Sequence, residues 1–376
     1  EKMNNNNIGE NPSTTATSKK VRIFACEKPH SLKHISSSLN KSGELGENDF
    51  FIITPSTASF KFSYPKIIGL KDAPYVNLNP EYKCLFAEYG QYGKVYDRNG
   101  KLVDNELSEI LNEYHSIKSK NYVFKDSLRK SKERYCNYLE NNVLEIINFC
   151  DHGHTGARGF KFHFEKYHGL LSLERLKAIY DVKVSVVRCL AYDEKTVIKS
   201  YKSRFDYSDE SSIFMIDYFR KKDFLDYNFN INSMLYLGNT LRHSGIYLND
   251  FINRNMLYTL LIIDEMEKAT EPSVIEIMEK NNIGSCASRA TIIEKLYDYE
   301  FVELIKTGVN HKKSYIRLSD CAKLFLSNLH PSLKSYKVAS KFYKKTGELS
   351  LKEFKVEVSK YLNNVFEKQD RFLASK

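Results

Sequence analysis

Apolar residues first gather as a six-residue run, VRIFAC (21–26), which is cut off by EKPH and followed by SLKHISSSL. A short apolar run bounded by a turn, then a segment with helical spacing, predicts a buried strand, a sharp turn and a helix. DFFIITP (49–55) repeats the strand signal, and several short apolar or aromatic pieces follow up to about Val95. DNELSEILNEYHSIKSK and SLRKSKERYCNYLENNVLEIINF predict two helices, the second with Leu, Tyr and Val at helical steps. SLERLKAIYD predicts a helix, VKVSVVRCL a strand, and DEKTVIKSY a helix with an acidic first turn. Strands and helices thus alternate from Val21 to Cys189, which predicts an α/β domain with a largely parallel sheet. Its ligand site is expected at the carboxyl ends of the strands, near Glu27 and Asp151.

From Ser200 onward the pattern turns mainly helical. PSVIEIMEKNNIG carries its apolar residues on one face and stops at Gly284. SRATIIEKLYDYEFVELI predicts a helix running into a strand, TGVNHKK a polar turn, SYIRLS a second strand, and DCAKLFLSNL a helix. Helix, turn, helix and two-stranded ribbon is the plan of a winged helix-turn-helix. The expected organisation is a disordered tail at 1–20, an α/β domain at 21–200 and a helical, winged-helix domain at 201–376. No internal repeat is visible.

Composition narrows the function classes. The 376 residues carry a net charge of +10, which favours polyanionic partners, nucleic acid before acidic membrane surfaces. The seven cysteines are scattered, with no C-x-x-C pair, which argues against a disulfide framework or a structural zinc site and for a reducing compartment. No apolar run reaches the ~18 residues of a membrane span. Residues 1–20 are rich in Asn, Ser and Thr without an apolar block, so they do not read as a signal peptide, and the cytoplasm is the expected location. The basic cluster from Lys118 to Arg134 reads as a solvated helix face, with a binding patch as the alternative.

Four blocks, in order, resemble the type IA DNA topoisomerases. IFACEKPHSLKHISSSL is similar to the opening strand and turn of their Toprim domain, with Glu27, Lys28 and Pro29 in place and His30 where Ser is usual. NFCDHGHTGARG stands where the family has an apolar strand followed by D-x-D-R-E-G-E. Asp151 and Gly156 match; Gly153, His154, Thr155 and Ala157 depart. VVRCLAYDEKTVIKSY resembles the closing strand and helix, with Arg188 in the arginine position. MIDYFRKKDFLDYNFNIN resembles a helix with an Arg-x-x-x-Asp pattern, around Arg220, Lys222 and Asp223. NRNMLYTLLIIDEME lines up with G-R-V-Q-T-P-T-L through Arg254, Thr259 and Leu260. EPSVIEIMEKNNIGSCASRATIIEKLYDYEFVELI is similar to the family's winged-helix segment almost throughout, and the likeness continues in order to Leu362.

The resemblance implies roles. Glu27 and Asp151 would belong to an acidic, magnesium-binding cluster, and Lys28 would position a DNA phosphate. Ser285, Ser288 and Arg289, in the turn into the recognition helix, would touch the DNA backbone, and Arg254 and Lys28 would line the same groove. The family's arch, which carries the catalytic tyrosine in Tyr-x-Arg-Thr, has no counterpart, because NRNMLYTLLIIDEME runs almost directly into KATEPSVIEIMEK. Tyr315 and Tyr201 have related spacings, but Tyr315 falls on the expected ribbon, where a tyrosine packs readily. A nucleophilic tyrosine also needs an activating neighbour, which the sequence does not supply.

Of the acidic cluster only Glu27 and Asp151 remain, and magnesium wants several hard oxygen ligands. No cofactor is expected beyond a weakly held magnesium. Cys150, Asp151, His152, His154, His163 and His168 crowd into nineteen residues. They could serve a transition metal in a nuclease, or they could sit on a loop and a solvated helix with phosphate or nothing bound. The expectation is a DNA-binding protein without catalysis, binding single-stranded or duplex backbone with little sequence preference, alone or with a protein partner in a larger complex. The alternative is a metal-dependent nuclease or topoisomerase with a divergent site.

Overall fold

A computed structural model describes residues 18–54, 60–66, 73–84, 93–118, 125–151, 154–169, 172–207, 210–309 and 313–376. Most of the tail expected at 1–20, and the tip of the TGVNHKK turn, therefore lie outside the described residues. The chain divides into two compact units. One comprises 1–60 and 84–212; the other comprises 61–83 and 213–376.

The first unit is α/β. Strand β1 (Val21–Cys26) leads through helix α1 (Pro29–Lys41) to β2 (Asp49–Ile53). Next in sequence come β3 (Phe60–Phe62) and β4 (Tyr82–Cys84), which pair with each other apart from the main sheet and lie mostly in the 61–83 segment of the second unit. Then follow β5 (Val95–Tyr96), β6 (Leu102–Val103), helices α2 (Glu106–Lys118) and α3 (Lys125–Asn142), and β7 (Val143–Asn148). After β7 come α4 (His154–Lys161), α5 (Leu173–Tyr180), β8 (Lys183–Val186), α6 (Glu194–Lys202) and β9 (Phe205–Asp206). The main sheet has seven strands in the order β6-β5-β2-β1-β7-β8-β9. The inner four are parallel, and β5, β6 and β9 are antiparallel additions at the edges. Ile23, Phe24, Ala25 and Cys26 are fully buried, which is why β1 reads as a continuous apolar run and occupies the middle of the sheet.

Two expectations change. The helix predicted through NVLEIINF ends at Asn142, and Val143–Asn148 forms β7, paired on both sides. Its Val and two Ile favour a pleated strand buried between neighbours, and tertiary pairing overrides the helical spacing. The α/β unit also runs past position 200, because β9 closes the sheet, and 61–83 goes with the helical unit.

The second unit contains α7 (Glu210–Asn232), a π-helical turn (Ser233–Leu237), α8 (Gly238–His243), α9 (Arg254–Glu265), α10 (Glu271–Lys280) and α11 (Arg289–Asp298). Strands β10 (Val302–Thr307) and β11 (Lys313–Leu318) form an antiparallel ribbon, followed by α12 (Asp320–Ser327), α13 (Val338–Glu348) and α14 (Leu351–Ala374). The helix–turn–helix–ribbon order matches the pattern in the sequence. The core gathers around α9, where every residue from Met256 to Ile263 is buried, with Phe229, Leu296, Phe325 and Phe366 packed into the same cluster.

Segment 73–80, which forms no helix or strand, is held by side chains of α7. Asn228 accepts from Leu78 N–H (2.8 Å) and donates to Leu78 O (2.9 Å). Asn232 does the same for Tyr75, accepting from its N–H at 3.0 Å and donating to its carbonyl. From α14, Ser359 donates to Val76 O (2.7 Å). Both asparagines are fully buried, so their amides do for this arm what a neighbouring strand would otherwise do.

Candidate functional site

In the α/β unit the strand order reverses between β1 and β7, and the residues just beyond their carboxyl ends meet there. Glu27 follows β1, Thr54 follows β2, and Cys150 and Asp151 follow β7. Glu27 is 6% exposed, and its Oε2 is buried without a hydrogen-bond partner. Burial first, and then the nearby Asp151, raise its carboxyl above the usual range. The Lys28 ammonium donates to one oxygen of Asp151 at 2.7 Å, and the Tyr192 hydroxyl donates to the other. That hydrogen bond is the main cause of the raised Lys28 pKa. Cys150 Sγ lies 3.3 Å from Thr54 Oγ1, and burial holds both the Cys26 and Cys150 thiols in the protonated form.

The geometry thus brings Glu27, Lys28 and Asp151 together, with Tyr192 as a fourth member that the sequence reading missed. Lys28 and Tyr192 each donate to one oxygen of Asp151, and Oε2 of Glu27 is buried without a hydrogen-bond partner. Among the described residues no group of three or more His, Cys, Asp or Glu comes together to hold a metal ion.

The histidine segment is not solvated as expected. His152 lies outside the described residues, as does the side chain of His154. His163 and His168 are 0% and 1% exposed, with ring centroids 4.8 Å apart, and His168 also packs against the rings of Tyr114 and Tyr135. The cause is the alternating aromatic sequence FKFHFEKYH: Phe162, Phe164 and Tyr167 are buried as well, and the helix loosens to a π turn (Phe162–Tyr167) that turns them all inward. Burial pushes His163 down to about 3 and His168 well below its usual value, so both are neutral core residues. Two cations of the basic cluster on α3 are paired: Arg129 with Glu133, and Arg134 with Glu109 and Glu113.

Gly156 explains one matched position. A Cβ there would lie 2.0 Å from the carbonyl oxygen of Asp151, so only glycine lets the start of α4 close over that loop. Gly156→Ala is expected to cost about 1–3 kcal/mol through overpacking. A thermal melt would check this, and an unchanged melting temperature would show that the loop relaxes freely.

The helical unit holds a groove of about 180 Å³ between α7, the start of α9, the α10–α11 turn and α13. Arg254, Lys222, Ser285, Ser288, Tyr218 and Tyr343 are among its lining residues. Arg254 opens α9 and is nearly buried. It donates from Nε and Nη2 to Asp226 Oδ1 at 2.9 and 2.8 Å, while Lys222 reaches Asp226 Oδ2 at 2.7 Å. Burial works to raise Asp226, but Arg254 and Lys222 outweigh it and hold the carboxyl at about 2. The ion set fixes the arginine in place rather than leaving it to swing. Tyr218, Lys222 and Asp226 are spaced i, i+4, i+8 on α7, a signal in the sequence that could have found them.

Ser288 accepts from Ser285 N–H (2.8 Å) and so shapes the turn. Arg289 does not reach into the groove. Its Nε and Nη2 donate to Ile283 O (3.2 Å) and Gly284 O (3.4 Å), and its side chain is 12% exposed, so it ties the turn together. Gly284, at φ +65°, makes that turn possible. Tyr315 sits on β11 opposite Ile305, and Tyr201 is 2% exposed in the core of the α/β unit. Among the described residues no helix is long and apolar enough to cross a membrane. In comparisons with known proteins, no family model and no curated protein matches the chain.

Proposed function

We propose that the chain binds DNA through its sugar–phosphate backbone and does not cut it. The observation that carries this reading is the groove of the helical unit. It combines two cations that share one carboxylate and so keep one net positive charge (Lys222 and Arg254 on Asp226), two turn hydroxyls (Ser285 and Ser288) and two tyrosine rings (Tyr218 and Tyr343). Cations and hydroxyls suit phosphate, and rings at a groove mouth suit unstacked bases, a combination that favours single strands with little sequence preference. Tyr343 is 47% exposed and packs edge-on to Tyr218 at 5.9 Å.

Support for a type IA topoisomerase-like derivation comes from the four sequence blocks. The parallel sheet with Glu27 and Asp151 beyond the carboxyl ends of its central strands is consistent with a Toprim-like domain, and helix, turn, helix and ribbon with a winged helix. The missing arch and the engagement of both Asp151 oxygens favour a protein that has given up strand cleavage. The specific observation on the other side is the open, buried oxygen of Glu27, which favours a residual acid-dependent cleavage.

Two measurements separate these readings. Anisotropy with a labelled single-stranded oligonucleotide is expected to show binding that weakens with salt, and Tyr343→Ala is expected to cost about 1–3 kcal/mol of it. Lys222→Gln is expected to reduce the salt slope by about 0.7. If neither variant changes affinity or slope, the groove is not the binding site. Supercoiled and single-stranded DNA incubated with magnesium, manganese or zinc ions is expected to remain uncut. Cleavage that Asp151→Ala abolishes would establish the catalytic reading instead.

A further inference from the structure

The β10–β11 ribbon leaves one edge half used. Ile316 donates its N–H to Ala269 O at 2.6 Å, a single antiparallel rung outside the ribbon. In antiparallel pairing a residue's N–H and C=O point to the same side, and the side alternates along the strand. Ile316 faces Ala269, so Ser314, two residues earlier, also faces away from β10. The residue in register to meet Ser314 is Glu271, but α10 begins there and Pro272 follows. The would-be third strand therefore ends after one rung, and Ser314 opens onto a groove of about 960 Å³. Lys268, Lys313, Tyr297, Leu304 and Tyr315 line it together with one acidic residue, Glu271, so its charge is net positive, and Leu304 is 49% exposed. The register puts Leu304 on one face of the ribbon and Lys313 with Tyr315 on the other.

We propose that this edge takes an extended peptide strand from a partner protein, added beside β11 at Ser314. Main-chain hydrogen bonds to Ser314 continue the rung that Ala269 begins. A strand alternating apolar and acidic side chains fits both faces. Its apolar residues lie on the face that Ser314 and Ile316 share with Leu304, its carboxylates meet Lys313 on the other face, and Lys268 also lines the groove. This site is separate from the DNA groove and does not depend on that reading.

The test uses the full chain and three labelled, N-acetylated octapeptides followed by anisotropy. One alternates Glu and Val, one alternates Lys and Val, and one is the Glu-Val peptide N-methylated at alternate amides. Saturable binding of the Glu-Val peptide alone is expected. Ser314→Pro removes a donor that faces away from β10, so the ribbon ladder stays intact while the peptide binds roughly tenfold more weakly. Lys313→Glu is expected to weaken the Glu-Val peptide as well, and it decides the matter if Ser314→Pro melts early. Equal binding of the Lys-Val or N-methylated peptide overturns the proposal, as does unchanged affinity in both variants. If the variants instead weaken an oligonucleotide and leave the peptide alone, the edge is a nucleic-acid surface and the proposal fails.

Discussion

Glu145→Ala is expected to destabilise the α/β unit by about 3–5 kcal/mol, because it strips the counter-charge from a partly buried cation. Glu145 lies on β7 and is 4% exposed. Arg204 donates to both of its oxygens, at 3.0 and 3.3 Å, and stacks on the Tyr201 ring at 4.4 Å. Ser185, on the adjacent strand β8, donates to it at 2.5 Å. Burial alone would raise the carboxyl, but the hydrogen bonds from Arg204 and Ser185 outweigh it and hold the pKa below its usual value. Removing the carboxylate leaves the guanidinium beside an apolar sheet. Arg204 is 22% exposed and reaches water in part, which places the loss nearer the lower figure. Chemical denaturation of the wild type and of Glu145→Gln, which keeps the shape and some hydrogen bonds, checks the size. A loss under about 1 kcal/mol would mean that the pair behaves like a surface ion pair.

Acidification is the second large effect. His163 and His168 are neutral in the folded protein and have pKa values far below those of the unfolded chain. Their contribution is fully present above about pH 6.5, where both states are neutral. As pH falls below that value the unfolded chain takes up protons that the folded core refuses, so stability is lost between about 6.5 and 3. Each refused proton costs about 1.4 kcal/mol per pH unit, and by pH 5 the two histidines together remove about 4 kcal/mol. Glu145 and Asp226 have depressed values and lose their share only at lower pH. The urea midpoint should fall between pH 7 and 5, and His163→Leu with His168→Leu should flatten that slope. A midpoint that is level across this range in the wild type would mean that water or a partner group accommodates the charge.

Much of the architecture was legible because the signals were local. VRIFAC names a central strand by being apolar at every position but Arg22, and PSVIEIMEKNNIG announces both a helix and its stop. The carboxyl-edge site was legible too, since a strand followed by a charged turn points to where Glu27 and Asp151 meet. What failed was non-local. NVLEIINF has helical spacing, yet it forms a strand because β1 and β8 stand ready on both sides. FKFHFEKYH reads as part of a loop and a solvated helix until the aromatic residues around the histidines drag them into the core. Arg289 has the position expected of a DNA contact, but the carbonyls of its own turn claim it first. Tyr192 and Tyr343 lie far in sequence from the groups they join, and no periodicity connects them.

The side-chain clamp on the 73–80 arm has a consequence for synthesis. Leu78 precedes Asn228, which holds it, by 150 residues. At about 5–20 residues per second the ribosome takes roughly 8–30 s to make the holder after the held. In the later part of that interval, once β7 has been made, the sheet strands on either side of the arm in sequence can find one another, since β1, β2 and β7 all precede α7. The arm has to stay out of their way, with its backbone groups on water. Two prolines, Pro74 and Pro80, and two asparagines, Asn77 and Asn79, suit it to waiting, because they discourage it from joining the growing sheet as an extra strand.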